Sequence, residues 1–88
     1  MFEALIGNPF SDPRHLRYDT ECGGQTYHIS TADTFDRGWE TMIFRRDERG
    51  ELDMREAYQE LHGDFAEAEE RHEYICDHIA DFVPAKAN

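Results

Sequence analysis

Residues 64–82 read DFAEAEERHEYICDHIADF, and the periodicity of this stretch decides the architecture. Phe65, Ala68, His72, Ile75, Cys76, Ile79 and Phe82 recur at three- and four-residue intervals. One face of a 3.6-residue helix is therefore apolar, and the rest is charged. Asp64 can accept from the free amides of the first turn, and Glu67 three residues on completes an aspartate variant of the capping box. Pro84 stops the helix, since proline offers no N–H and its ring crowds the preceding turn. The spacing predicts a helix over 64–83, laid on a flat apolar surface, and a frayed tail over 85–88.

That surface is read from the chain upstream. Leu16, Tyr18 and Thr20 alternate, Gly23-Gly24 supplies two residues tolerant of positive φ, and Thr26-Tyr27-His28-Ile29 runs back, which together spell a hairpin. Tyr27, Ile29, Thr31 and Phe35 keep a period of two, so the second strand is expected to be long. Asp36-Arg37-Gly38 turns the chain into Trp39-Glu40-Thr41-Met42-Ile43-Phe44, whose two partly apolar faces suit a central strand. After the charged turn Arg45–Gly50, the stretch 55–62 admits either a helix or a strand through Met54, Tyr58 and Leu61. His62-Gly63-Asp64 interrupts it before the clear helix, which favours a strand. Residues 1–13 end in turn formers and read as an arm on the edge of the domain.

These elements predict an α+β fold: a four-stranded antiparallel sheet over 14–62 with one C-terminal helix packed on one face, in a single 88-residue domain. Sequential meander pairing is the default order. The other sheet face is left for the N-terminal arm or for dimerisation. Tyr18, Tyr27, Phe35, Trp39, Phe44, Tyr58, Phe65 and Phe82 are expected in the core, because so small a domain needs nearly all its aromatics inside. Trp39, beside a turn, is also a candidate contact anchor.

Acids outnumber bases by 20 to 9, for a net charge of −11. Such a balance argues against a basic footprint for nucleic acid or anionic membrane. Aromatics at 12% are too plentiful for a disordered acidic tail. No apolar run approaches the roughly 20 residues of a membrane span, and Met1–Phe10, without a charged start or a long apolar centre, is not expected to act as a secretion signal. Cys22 and Cys76 are too few to staple a secreted fold, so a soluble intracellular domain is expected.

The acidity is concentrated: residues 51–81 hold eleven acids against Arg55 and Arg71. Within the helix, Glu69, Glu73, Asp77 and Asp81 fall at i, i+4, i+8 and i+12, a column with about 6 Å between successive rungs. Glu67 and Glu70 flank it. Like charges at this spacing repel by a few tenths of a kcal/mol per pair, and no base alternates with them. The plain reading is a solvated helix face that keeps the protein dispersed. The functional reading is a stand-in for the regularly spaced charge of a nucleic acid, presented to a basic groove.

Trp39-Glu40-Thr41-Met42-Ile43-Phe44, preceded by Tyr27-His28-Ile29-Ser30-Thr31 and followed by Glu67-Ala68 and His72, resembles a group of short proteins encoded in bacteriophage and prophage genomes. Those proteins carry a Tyr-Glu-Thr-Met-Val-Phe-like strand and an acidic helix. The likeness covers roughly residues 24–82, and Trp39 stands where they have tyrosine. It implies an accessory phage protein working in the host bacterial cytoplasm, and it brings no catalytic residues.

Other chemistry finds little footing. His72 and Cys76 lie one helical turn apart with Glu69 or Glu73 nearby, yet there is no CxxC, HExxH or DxDxDG pattern, so no metal is expected. On the apolar face, His72 is better read as a buried residue bonded to a strand backbone. Cys22 beside Gly23-Gly24 could be paired with His28, but no oxyanion motif accompanies it. No enzyme and no cofactor are expected. Arg14, His15, Arg17, Arg45, Arg46 and Arg49 could form a basic patch, but local pairing with Asp47, Glu48 and Glu51 is the simpler expectation.

The resulting expectation is a non-enzymatic phage-type inhibitor. It would present Glu67, Glu69, Glu70, Glu73, Asp77 and Asp81, with Trp39, to a host protein's nucleic-acid-binding surface, plausibly that of a CRISPR effector. The alternative is a small acidic interaction protein that self-associates through its sheet face.

Overall fold

A computed structural model describes residues 15–84. The expected arm over 1–13, Arg14 and the tail over 85–88 lie outside the described residues. Four strands, β1 (Leu16–Cys22), β2 (Gln25–Asp33), β3 (Trp39–Arg46) and β4 (Tyr58–His62), pair antiparallel in the order β1-β2-β3-β4. One helix, α1 (Phe65–Asp77), and a single 3₁₀ turn (Ile79–Asp81) follow. The described residues thus form an α+β meander with one helix against the sheet.

Gly23 and Gly24 make the two-residue connection between paired Cys22 and Gln25, at φ of 61° and 84°. Two consecutive positive φ values match the natural strand twist, and glycine reaches them without a Cβ clash. The stretch 55–62 is a strand only from Tyr58 onward. Before it, Asp53 and Ala57 still donate their amides to the Arg45 and Ile43 carbonyls, at 2.8 and 2.7 Å.

The period of two carries Tyr27, Ile29 and Thr31 onto one face of β2, where all three are buried. In register with them stand Leu16, Tyr18 and Thr20 of β1 and Thr41 and Ile43 of β3. α1 sets Ala68, His72 and Ile75 against the sheet. The core gathers Tyr27, Ile29, Ile43, Ile75, Ile79 and Val83, edged by Cys22, Ala57, Tyr58, Cys76 and Phe82.

Two of the aromatics expected in the core lie elsewhere. Phe35 does not continue β2 into the core: it is 90% exposed, with φ of 73°. Asp33 accepts from the Phe35 amide at 2.8 Å, and the Thr34 amide and hydroxyl both donate to the Gly38 carbonyl. These local bonds outcompete the ladder and curl the chain. Tyr18, also read as core, is 51% exposed on the outermost strand.

Trp39 is 6% exposed, its ring 4.9 Å from that of Phe65 at the start of α1. It packs the helix onto the sheet, which leaves little of the ring at the surface.

The helix stops at Asp77 rather than reaching 83. His78 leaves helical geometry at φ −131°, ψ 40°, while its ring Nδ1 lies 2.9 Å from the Tyr74 carbonyl and stacks 4.1 Å from the Tyr74 ring. The turn that follows buries Val83 more deeply than Phe82.

Candidate functional site

α1 begins as its sequence dictates. The Asp64 carboxylate accepts from the Glu67 amide at 2.9 Å, and Glu67 Oε1 accepts from the Gly63 amide at 2.9 Å. Glu67 is thereby committed to the cap, which removes it from the free acidic set. With Ala68, His72 and Ile75 turned inward, 3.6-residue geometry sends Glu69, Glu70, Glu73 and Asp77 outward, and all four are exposed. Among the described residues none of them has an ion pair or a side-chain hydrogen bond. Asp81 is exposed too, but it sits on the 3₁₀ turn beyond the helix. The four-rung column is therefore three rungs, Glu69, Glu73 and Asp77, with Glu70 beside them.

The arginines that pair with carboxylates do so elsewhere. Arg71, the only base on α1, donates twice to the Glu60 carboxylate, at 2.8 and 2.9 Å, across to β4. Its guanidinium also lies over the rings of Tyr74 and Phe82, 5.3 and 5.4 Å from their centroids. Tyr58 donates to the same carboxylate at 2.6 Å. The Arg71 bonds hold Glu60 below the usual carboxylate range, and the bond to Glu60 raises the Tyr58 phenol. On the opposite sheet face, Arg46 reaches Asp19 at 2.9 Å rather than the loop acids, and His28 lies 2.6 Å from the same carboxylate. Arg37 and Gln59 both donate to Glu40, which is only 9% exposed. That face is largely polar and internally paired.

Beneath α1 runs a polar chain that no motif announces. His72 Nδ1 is 2.8 Å from Thr31 Oγ1, which is 2.6 Å from Thr41 Oγ1, which is 2.9 Å from His62 Nε2. All four residues are buried. His72 is buried as its sequence suggests, but it bonds a strand side chain rather than the backbone. Three hydrogen bonds need three hydrogens, and the two hydroxyls supply only two. At least one terminal ring nitrogen must then donate. His62 Nδ1 lies 3.6 Å from the Glu60 carboxylate, which favours the hydrogen on that nitrogen. Nε2 of His62 thus accepts from Thr41, Thr41 accepts from Thr31, and His72 Nδ1–H donates to Thr31.

Burial pushes the His72 pKa below the ordinary histidine value, aided by the nearby His15 and His28. A depressed histidine pKa favours the neutral form in the folded state. Stability is then fully present above the unfolded value near 6.5 and declines as pH falls below it. Glu60 adds its own loss only below its ordinary 4.5. Thermal midpoints are expected to hold steady from pH 8 to 7 and to drop between 6.5 and 5. In His72→Gln the drop in that interval should shrink; an unchanged profile would place the titration elsewhere.

Cys76 lines the same side of α1, and burial pushes its thiol up to about 11, the form that neither attacks nor ligates. Cys22 sits partly buried at the hairpin's closing pair. Among the described residues no three His, Cys, Asp or Glu side chains converge to hold a metal ion, and no helix is long and apolar enough to cross a membrane. Compared with known proteins, the sequence matches no family model, no curated protein and no solved structure.

Proposed function

We propose that this protein is a non-enzymatic, phage-type inhibitor that applies α1 to a basic nucleic-acid-binding surface of a host defence complex. The observation that carries the reading is the separation of charge on α1. Its single arginine is drawn inward onto Glu60, while Glu69, Glu70, Glu73 and Asp77 stand exposed without a counter-ion among the described residues. A face arranged for its own stability would interleave bases at i,i+4. Left unneutralised, it attracts a cationic surface over a Debye length and competes there with phosphates.

The test is capture from bacterial lysate on the immobilised protein, with release by added salt and by duplex DNA or RNA. The double variant Glu73→Lys/Asp77→Lys should fold with an unchanged circular dichroism spectrum. It should also lose at least tenfold in affinity for a captured protein that nucleic acid displaces. Capture indifferent to both nucleic acid and charge reversal would end the proposal.

A further inference from the structure

Between β1 and α1 opens a cleft of about 400 Å³, lined by Arg17, Tyr18, His72, Glu73, Cys76 and Asp77. Two of the unneutralised carboxylates belong to it, one helical turn apart. Tyr18 contributes a half-exposed aromatic ring, and Cys76 a neutral thiol. His72 contributes a ring that is 7% exposed. Its Nδ1 is consumed by Thr31, and its Nε2 has no hydrogen-bond partner among the described residues. With the His62 hydrogen directed to Glu60, the buried chain runs from His72 Nδ1–H toward His62, and the neutral His72 ring then carries its lone pair on Nε2. Arg17, the one arginine or lysine on the rim, is engaged by His15, with contacts of 3.0 and 3.5 Å to the imidazole.

We infer that this cleft receives one arginine side chain of the basic partner. The inference rests on the inhibitor reading for its partner and goes further in naming the group recognised and the atoms that recognise it. A guanidinium carries five N–H donors and no acceptor, and is planar. Glu73, Asp77 and His72 Nε2 are acceptors, and the Tyr18 ring supplies a face for stacking and cation–π attraction. A phosphate or carboxylate would meet two like charges and a lone pair here. The acidic face thus has a fixed socket as well as a diffuse field, and the histidine at its base is anchored by the threonine chain.

The probe is N-acetyl-arginine amide, titrated into the isotopically labelled protein and followed by NMR, with the lysine analogue alongside. Saturable shifts centred on Tyr18, His72 and Cys76 are expected, with arginine binding at least threefold tighter than lysine. Tyr18→Ala, at a half-exposed position, should weaken the probe at least fivefold. Glu73→Gln/Asp77→Asn should weaken it at least tenfold. Glu51→Gln/Glu56→Gln removes the same charge from the far loop and should change binding less than twofold. The His72 Nε2 resonance should be that of an unprotonated nitrogen in the free protein.

Non-saturating shifts spread along the whole helix, equal losses in the two charge-matched double variants, or a protonated Nε2 would each overturn the inference. Failure of the socket with capture still sensitive to charge reversal leaves the inhibitor reading intact. Capture indifferent to reversal, with the probe still seated, sinks that reading alone.

Discussion

Thr41→Val should destabilise the fold by about 2–5 kcal/mol, although it exchanges a hydroxyl for a methyl of nearly the same size. Thr41 is fully buried and joins two partners at once, Thr31 at 2.6 Å and His62 at 2.9 Å. Valine leaves the Thr31 hydroxyl with no acceptor and His62 Nε2 with no donor. Each orphaned buried group costs about 1–3 kcal/mol. Thr41→Ser keeps the link and removes one methyl, a loss of about 1 kcal/mol. Because the threonines act as one unit, Thr31→Val/Thr41→Val should cost less than the sum of the single changes. Urea denaturation of the parent, the three single variants (Thr31→Val, Thr41→Val and Thr41→Ser) and the double variant settles it. Serine and valine variants of equal stability would mean that the chain contributes nothing.

Ile75→Ala should remove about 3–4 kcal/mol, at the upper part of the range for aliphatic truncation in a core. Ile75 has no exposed surface and stands in the cluster with Ile29 and Ile43, which have none either. The sheet beneath it is rigidly paired, so the void has little means of closing. In a domain of this size such a loss corresponds to a fall of roughly 15–20 °C in melting temperature. The same truncation at Leu61, half exposed on β4, should cost under about 1 kcal/mol. Calorimetry on both variants provides the comparison, and similar midpoints would contradict the assignment of the core.

Most of the fold is legible in the chain because local and tertiary preferences agree. Gly23-Gly24, the alternation through Tyr27, Ile29 and Thr31, and the Asp64–Glu67 cap each name their structure without help. The failures occur where side chains take over backbone hydrogen bonding. Asp33 and Thr34 curl the chain at Phe35, and His78 diverts it after Asp77. Neither effect appears in hydrophobic periodicity, which alone extends the second strand to Phe35 and sets Asp81 on a helix it never joins. Trp39 shows a different limit, since proximity to a turn says nothing of what packs on the ring from 26 residues away. Exposure of the acids follows from the helical wheel. The withdrawal of Arg71 onto Glu60 does not, because that contact depends on how α1 lies across β4. The polar chain was hidden for the same reason. Its one sequence trace is threonine at inward positions of β2 and β3, where valine or isoleucine would be ordinary.

The termination of α1 has a consequence for the charge it displays. The helix spans 13 residues, ends on an acid and has no base in its last turn, so the charge at its C-terminal end works against the helix dipole. Segments of that length are marginal alone in water. Docking on the sheet is what keeps the carboxylates at regular intervals. A fragment cut from this region would carry the same acids as a fluctuating coil, with their spacing lost. Geometry of this kind is an all-or-none property of the intact protein, switched off in a single step when the domain unfolds or is cleaved.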